Sequence, residues 1–411
     1  MDPLTNPFTP GAGAPPPELA GRDEIIRAAQ ITLARVRMGR AERSQMLLGL
    51  RGVGKTVLLN RLLKDAKQTG YLTVWLEAPE GERLAEYLAP ALKAVLVRLS
   101  KVERARAYAA AAVGALRGFA SAFKVSIGEF EFGVTEPTTA DTGNIEVDLP
   151  ELLVATGEAA KAAETSVALF VDEVQYLSEQ DLRGLIVALH RVAQEGLPLV
   201  LFGAGLPQVA ALAGEARSYA ERLFAYPAVG PLEPSAAASA VGEPIREQGC
   251  AIEADALQRI VDVTKGYPYF LQEWGKHAWN TAPGSPITVA DVEAASRIAT
   301  DALDHNFFRV RFDRLTPREQ DYLRAMADLG PGPHQSGAIA EALGTISENV
   351  GPLRAGLIRK GMIYSPKHGE TAFTVPMFDE FMRRAIPVWA SPTQDGARPA
   401  RPTRKRRGGS A

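Results

Sequence analysis

The stretch LLGLRGVGKTVLLNRLL, residues 47–63, sets three glycines and a lysine within eight residues, between two apolar runs. Buried strands and helices rarely spend residues this way, because glycine costs backbone entropy and lysine resists burial. An apolar run that enters glycines and leaves as a leucine-rich run reads as strand, tight turn and helix. Gly49, Gly54, Lys55 and Thr56 satisfy the spacing G-x-x-x-x-G-K-[ST]. A helix that starts here presents unpaired N–H groups and a partial positive charge. The glycines, Gly52 among them, let the backbone wrap a β-phosphate with no Cβ in the way. Lys55 then reaches the β/γ oxygens and the Thr56 hydroxyl ligates Mg2+. Arg51, Val53 and Val57 complete the nucleotide-binding stretch, and ATP and Mg2+ are the expected ligands.

A phosphate loop needs an acid at the end of a neighbouring strand to hold the metal. VALFVDEVQYL (167–177) supplies five apolar residues running into Asp172 and Glu173. Asp172 is placed for Mg2+, and Glu173 to orient or deprotonate an attacking water. An acidic pair after a strand is by itself only a solvated strand end; the loop upstream gives it a purpose. Glu173 favours hydrolysis over passive nucleotide binding.

Other strand-like runs lie at 71–79 and 197–205, and helical stretches at 55–68, 84–100, 148–164 and 179–195. Short apolar strands alternating with helices predict an α/β fold, a parallel sheet covered on both faces. Residues 1–18, rich in proline and glycine, read as an extended arm, and 19–232 as the P-loop domain. An insertion at 101–147 carries an alanine-rich helix and an alternating segment, KVSIGEFEFGV, expected to be a hairpin or lone strand. Residues 233–311 read as a helical lid, with Ser235 and Thr288 as expected N-caps. Residues 312–390 carry a helix, a helix–turn–helix and a hairpin, which together predict a winged helix. Thr345 and Glu348 there have capping-box spacing, and Pro352 is expected to kink or reset the third helix. The tail 391–411 has no apolar pattern and is expected to be disordered.

Net charge is −2, so no global field draws the chain to nucleic acid or anionic membrane. No apolar run is long enough to span a bilayer, and one cysteine, Cys250, cannot make an internal disulfide. A cytoplasmic protein with no membrane partner is expected.

The chain resembles the AAA+ and STAND ATPases, particularly the origin-recognition-like and archaeal-type ATPases, over about residues 19–390. The resemblance is carried by LAGRDEI, the phosphate loop, DEVQ and VTKGYPYFLQ. It implies that Gly21 and Arg22 pack by the adenine, and that Gln175 contacts the γ-phosphate region or a partner subunit. It also implies an adenine contact from Pro268, after Gly266. Arg222, with Arg217 second, would be a finger reaching a neighbouring subunit's nucleotide. The sequence departs from the family at LFGAGLP (201–207), where many relatives carry a polar sensor of the γ-phosphate. It also lacks the sensing arginine that origin-recognition ATPases carry after the Gly-x-Pro segment.

Two functions stand ahead of a third, a non-enzymatic regulator that holds nucleotide permanently, which Glu173 argues against. One is an ATPase of AAA+/STAND type that acts as a nucleotide-driven switch, working through self-association or a protein partner. The other is a DNA-associated ATPase that binds duplex through the winged helix. Acids and bases balance across 315–390, yet Arg354, Arg359 and Lys360 on its third helix are placed to face phosphates. Arg398, Arg401, Arg404, Lys405, Arg406 and Arg407 make the tail basic, able to add salt-sensitive attraction.

Overall fold

Parallel strands covered on both faces must be apolar on both faces, and two neighbouring strands at the middle of the sheet meet this requirement except at Asp172, the last residue of one of them. The computed structural model describes the chain except residues 12–15, 17, 129–138 and 391–411. It divides into two compact units, Met1–Ala299 and Thr300–Ala411. In the first unit, β1 (Ser44–Leu48), β2 (Leu72–Glu77), β3 (Val167–Asp172), β4 (Leu199–Gly205) and β5 (Phe224–Ala225) form one parallel sheet, ordered β2-β3-β4-β1-β5. Every residue of β3 and β4 is buried, which is why both read as apolar runs, β3 up to its closing Asp172.

The helices of the sheet domain are α1 (Asp23–Arg37), α2 (Lys55–Gln68), α3 (Leu84–Ser100), α4 (Arg106–Ala122), α5 (Ile145–Ala162), α6 (Glu179–Gln194), α7 (Val209–Ala216) and α8 (Ala220–Leu223). The α5 helix starts earlier than the expected residue 148, because the Asn144 side chain accepts from Glu146 N at 3.0 Å. Buried Asp148 then gathers Thr142 N, Thr142 Oγ1 and Gly143 N, at 2.8 to 3.1 Å.

Strand order decides what meets at the site. The β4 strand lies between β1 and β3, with Leu48 opposite Gly205 and Val171 opposite Gly203. Its end therefore forms a floor between the loop after β1 and the acids after β3. A Cβ on Gly203 would stand 2.3 Å from Met46 Sδ, so that floor has to be narrow. Ligands of open parallel sheets bind just beyond such strand ends.

The insertion helix α4 is part of the main core. Ala109, Ala112, Ala115 and Phe119 are buried in the same cluster as α3, α5 and the sheet. Its small residues permit close approach: a Cβ on Gly118 would lie 1.9 Å from Thr139 O. Of the alternating segment expected as a hairpin or lone strand, residues 129–134 lie outside the described residues, and 124–128 form no strand. Val125 and Ile127 pack against the core instead.

Helices α9 (Pro234–Glu247), α10 (Ala254–Thr264), α11 (Pro268–Thr281) and α12 (Val289–Leu303) follow the sheet, and the division into two units falls inside α12. Ser235 is not an N-cap. Pro234, with its fixed φ, takes the first helical position and puts Glu233 at the cap. Thr288 does cap: its hydroxyl accepts from Asp291 N at 3.4 Å, while Asp291 accepts from Thr288 N at 2.9 Å.

The described part of the N-terminal arm lies on α11. Phe8 is 2% exposed and fills the space beside Gly275, where a Cβ would sit 2.7 Å from its ring. Asn6 donates to Lys276 O and Asn280 Oδ1, and Trp279 Nε1 donates to Asp2 O at 2.8 Å.

The second unit holds α13 (Arg309–Phe312), α14 (Pro317–Asp328), β6 (His334–Gln335), α15 (Ser336–Ala342), α16 (Ser347–Arg359), β7 (Ile363–Tyr364), β8 (Glu370–Phe373) and α17 (Phe378–Ala385). The strands form a three-stranded antiparallel sheet ordered β6-β8-β7. Phe308, Phe312, Phe373, Phe378 and Phe381 pack edge to face or tilted in its core. The Thr345–Glu348 capping box is not made. Ile346 occupies the cap, and the Thr345 hydroxyl accepts from Asn349 Nδ2 at 3.0 Å. The box is made instead at Thr316 and Glu319, at the start of α14. The α16 helix runs through Pro352. The basic tail lies outside the described residues.

Truncating Phe8 to alanine empties a closed site against Gly275. The variant should lose about 3 kcal/mol from the first unit, read by urea unfolding, and α11 should lose amide protection with it.

Candidate functional site

Three segments of backbone crowd together at Gly49. Its N–H donates to Gly205 O at 3.1 Å, and a Cβ there would lie 2.1 Å from Val229 O. No other residue fits. Gly52 and Gly54 then turn the chain with φ of +83° and +88°, and Gly54 caps α2. The first N–H groups of α2 are thereby left pointing into the loop, with Lys55 and Thr56 opening the helix.

Lys55 is 8% exposed and donates to Leu50 O at 2.9 Å. Burial pushes its ammonium down to about 8, against the opposing pull of Glu173 and Asp172. The Thr56 hydroxyl donates to Asp172 Oδ2 at 2.6 Å, and the other Asp172 oxygen accepts from Glu173 N at 2.9 Å. Burial raises the Asp172 carboxyl, while these two hydrogen bonds pull it back. Two hard oxygens facing each other beside a helix start suit Mg2+, which takes one or two protein ligands and the rest from phosphate and water. The structure thus brings Lys55, Thr56, Asp172 and Glu173 together.

Glu173 has φ of +54° and ψ of +40°, a left-handed conformation rare for a residue with a side chain. A short turn follows, Val174–Tyr176, and Arg51 donates to Tyr176 Oη at 2.6 Å. Within this turn the Gln175 amide nitrogen donates to Glu173 Oε2, and its oxygen accepts from Leu206 N at 3.0 Å.

Gly21, with φ of +67°, turns Arg22 inward. The Arg22 guanidinium donates to Val53 O at 3.2 Å and to Gly230 O, tying the loop to the segment 227–232. Burial lowers its pKa. Gly266 meets the same segment: Leu232 N donates to Gly266 O at 2.8 Å, and a Cβ on Gly266 would lie 2.3 Å from Leu232 O. Pro268 opens α11, and the next residue, Tyr269, donates its N–H to Gly52 O at 3.2 Å. The start of α11 is thereby bonded to the phosphate loop. Leu206, Gly230, Leu232 and Tyr269 belong to this arrangement through backbone atoms, and their side-chain types gave no sign of it.

The arginines separate. Arg217 is ion-paired with Glu146. Arg222 is exposed on α8 and makes no ion pair among the described residues. In the second unit Arg354 turns inward. Its guanidinium bonds Thr371 Oγ1 at 2.9 Å, Ser365 Oγ at 2.8 Å and Glu370 O at 3.0 Å. Lys360 pairs with Glu319 at 2.7 Å. The expectation that both face phosphates is corrected: the hairpin and α14 offer them nearer acceptors. Arg359 stays exposed.

Residues 18–202 match the family described as AAA ATPase domain, and residues 305–382 match a domain of unknown function, DUF8462. No curated protein matches. Among solved structures the chain is similar to the Walker-type ATPase PABY2304 of Pyrococcus abyssi, at 18% identity, over 90% of this chain and 98% of that one, with a TM-score of 0.55. That likeness shows a shared fold. Two looser likenesses stand beside it. They are the Thermotoga maritima RuvB Holliday junction branch migration motor (14% identity, 90% and 96% covered, TM-score 0.43) and Aeropyrum pernix Orc1 in complex with DNA (14%, 90% and 94%, 0.44). Among the described residues, no helix is long and apolar enough to cross a membrane.

Because Lys55 titrates near 8, triphosphate binding should weaken as pH rises through that value. The phosphates favour the charged amine, which the free protein loses above it. Affinity should fall about tenfold per pH unit beyond that point. Calorimetric titration with ATP between pH 7 and 9.5 checks this, and a flat profile would reject Lys55 as the phosphate cation. The sign for stability is opposite. The unfolded chain holds the extra proton between about 8 and the ordinary lysine value, so Lys55 makes the ligand-free fold more stable as pH rises through that window.

Proposed function

We propose that this chain, which carries an AAA ATPase domain over residues 18–202, is a Mg2+-dependent ATPase that works as a nucleotide-driven switch. The observation that carries the reading is the 2.6 Å contact between Thr56 and Asp172, at the open start of α2 and one residue from Glu173. The N–H groups at the start of α2, together with Lys55, receive the β- and γ-phosphates. Thr56 and Asp172 hold Mg2+, which when bound would offset the charge of the phosphate oxygens. Glu173 accepts the proton of the water that attacks the γ-phosphorus, and ADP and phosphate leave. The helical region 233–311 serves as a lid. Its bond from Tyr269 N to Gly52 O would respond to whatever the loop holds.

Arg222 is the candidate finger, since it has no partner within its own chain among the described residues while Arg217 does. A guanidinium supplied in trans would stabilise transition-state charge. Glu173→Gln should keep ATP affinity within a few-fold and lower turnover at least a hundredfold, because shape stays while the base is lost. Mixing that variant with Arg222→Ala should then restore part of the turnover in a concentration-dependent way. Persistent turnover in the first variant would reject Glu173 as the base, and failure of the mixture at every ratio would reject the finger.

A second reading has one observation in its favour. The order α14, β6, α15, α16, β7, β8 supports reading the second unit as a winged helix, whose third helix would then be the one to meet DNA. The reading makes the chain a DNA-associated ATPase, with duplex held by Arg359 and the basic tail. Arg354 and Lys360 are already engaged, so the expected phosphate contacts are few. Arg359→Ala should lower the slope of log K against log salt by no more than about one unit. Removal of 391–411 should lower it by several. Tight duplex binding that ignores salt would contradict this account, and so would no binding by the full chain at low salt.

A further inference from the structure

The end of β4, where a polar side chain would be expected to face the γ-phosphate, is Gly-Ala-Gly-Leu, residues 203–206. The structure gives a steric reason for its glycines. A Cβ on Gly203 would strike Met46 Sδ, and one on Gly205 would come within 2.8 Å of Val209 Cγ2 and 3.0 Å of Gln175 Oε1. The second contact matters more. Gly205 makes room for a polar group that arrives from the neighbouring strand's turn.

That group is the Gln175 amide, and its orientation follows from its partners. Leu206 N–H is a donor, so it must meet the amide oxygen, at 3.0 Å. The amide nitrogen then faces the Glu173 carboxylate, which can only accept when ionised. We infer that Gln175 is a positioning residue. It fixes the Glu173 carboxylate against the end of β4, so that the base on one strand and the backbone on the next move as one body. The inference rests on the reading of Glu173 as the base. The Glu173 backbone is left-handed, and the Gln175 amide gives its carboxylate a fixed hydrogen-bond partner. A base held in place keeps the water geometry that a mobile one would lose.

The test uses the full chain with ATP and Mg2+, and measures ATP affinity, kcat at saturating ATP, and melting temperature. Gln175→Ala removes both hydrogen bonds. Gln175→Glu keeps the shape and the acceptor for Leu206 N–H, but removes the donor to Glu173 and sets a like charge beside it. Positioning predicts that both variants lose at least tenfold in kcat, with the alanine variant's ATP affinity within twofold of the parent. A residue that merely props the 206 loop would be rescued by glutamate, so parent-like kcat in Gln175→Glu overturns the inference. So does parent-like kcat in Gln175→Ala. Should the alanine variant fail to fold, the near-isosteric glutamate variant carries the test alone. Glu173→Gln is run beside them. If it is inactive while Gln175→Ala is parent-like, only the positioning role falls. If it still turns over, the base assignment falls first.

Discussion

The site depends on a close approach of backbones at Gly49. The chain leaving β1 must pass under Val229 and against the end of β4 at once, and the 2.1 Å that would separate a Cβ from Val229 O leaves no room for a side chain. From that contact the loop is launched at a fixed angle, Gly52 and Gly54 complete the turn, and α2 starts where its N–H groups are free. Everything chemical in the first unit is referred to this point: the height of Lys55, the reach of Thr56 to Asp172, and the tie from Arg22 to the loop.

The same segment, 227–232, is a hub for parts distant in sequence. Arg22 reaches it from the start of α1, and Gly266 from the end of α10. Because α11 is bonded at its start to Gly52 and covered along its side by Phe8, the phosphate loop, the helical region and the N-terminal arm form a continuous chain of contacts within one unit. Under the proposed switch, coupling between loop and helices would need no long-range device. The backbone hydrogen bonds that join them would carry it.

Much of this was legible in the sequence for local reasons. The glycines of the loop announce backbone crowding by their presence, and β3 and β4 show as apolar runs because both of their faces are buried. Asp172 and Glu173 follow directly from where β3 stops. Features that depend on assembly were not legible. The β5 strand has two residues, too few for any periodicity. Arg354 lies on a helix whose apolar pattern does not say which side the hairpin will cover, so its inward turn toward Thr371 and Ser365 needed the fold. The tie from Gln175 to Leu206 requires β3 and β4 to be neighbours, which strand order alone settles. Ser235 looked like a cap, but proline one residue earlier had already fixed the helix start.

Glu173 occupies a backbone conformation that suits glycine or asparagine better, at a cost of roughly 1 kcal/mol for a residue with an ordinary side chain. Replacement by glycine would relax the turn and remove the carboxylate together. At this one position, therefore, thermal robustness and the proposed chemistry pull in opposite directions. A sequence selected only for resistance to heat would drift away from glutamate here, and a sequence that keeps it carries a small standing penalty at the residue proposed to handle water.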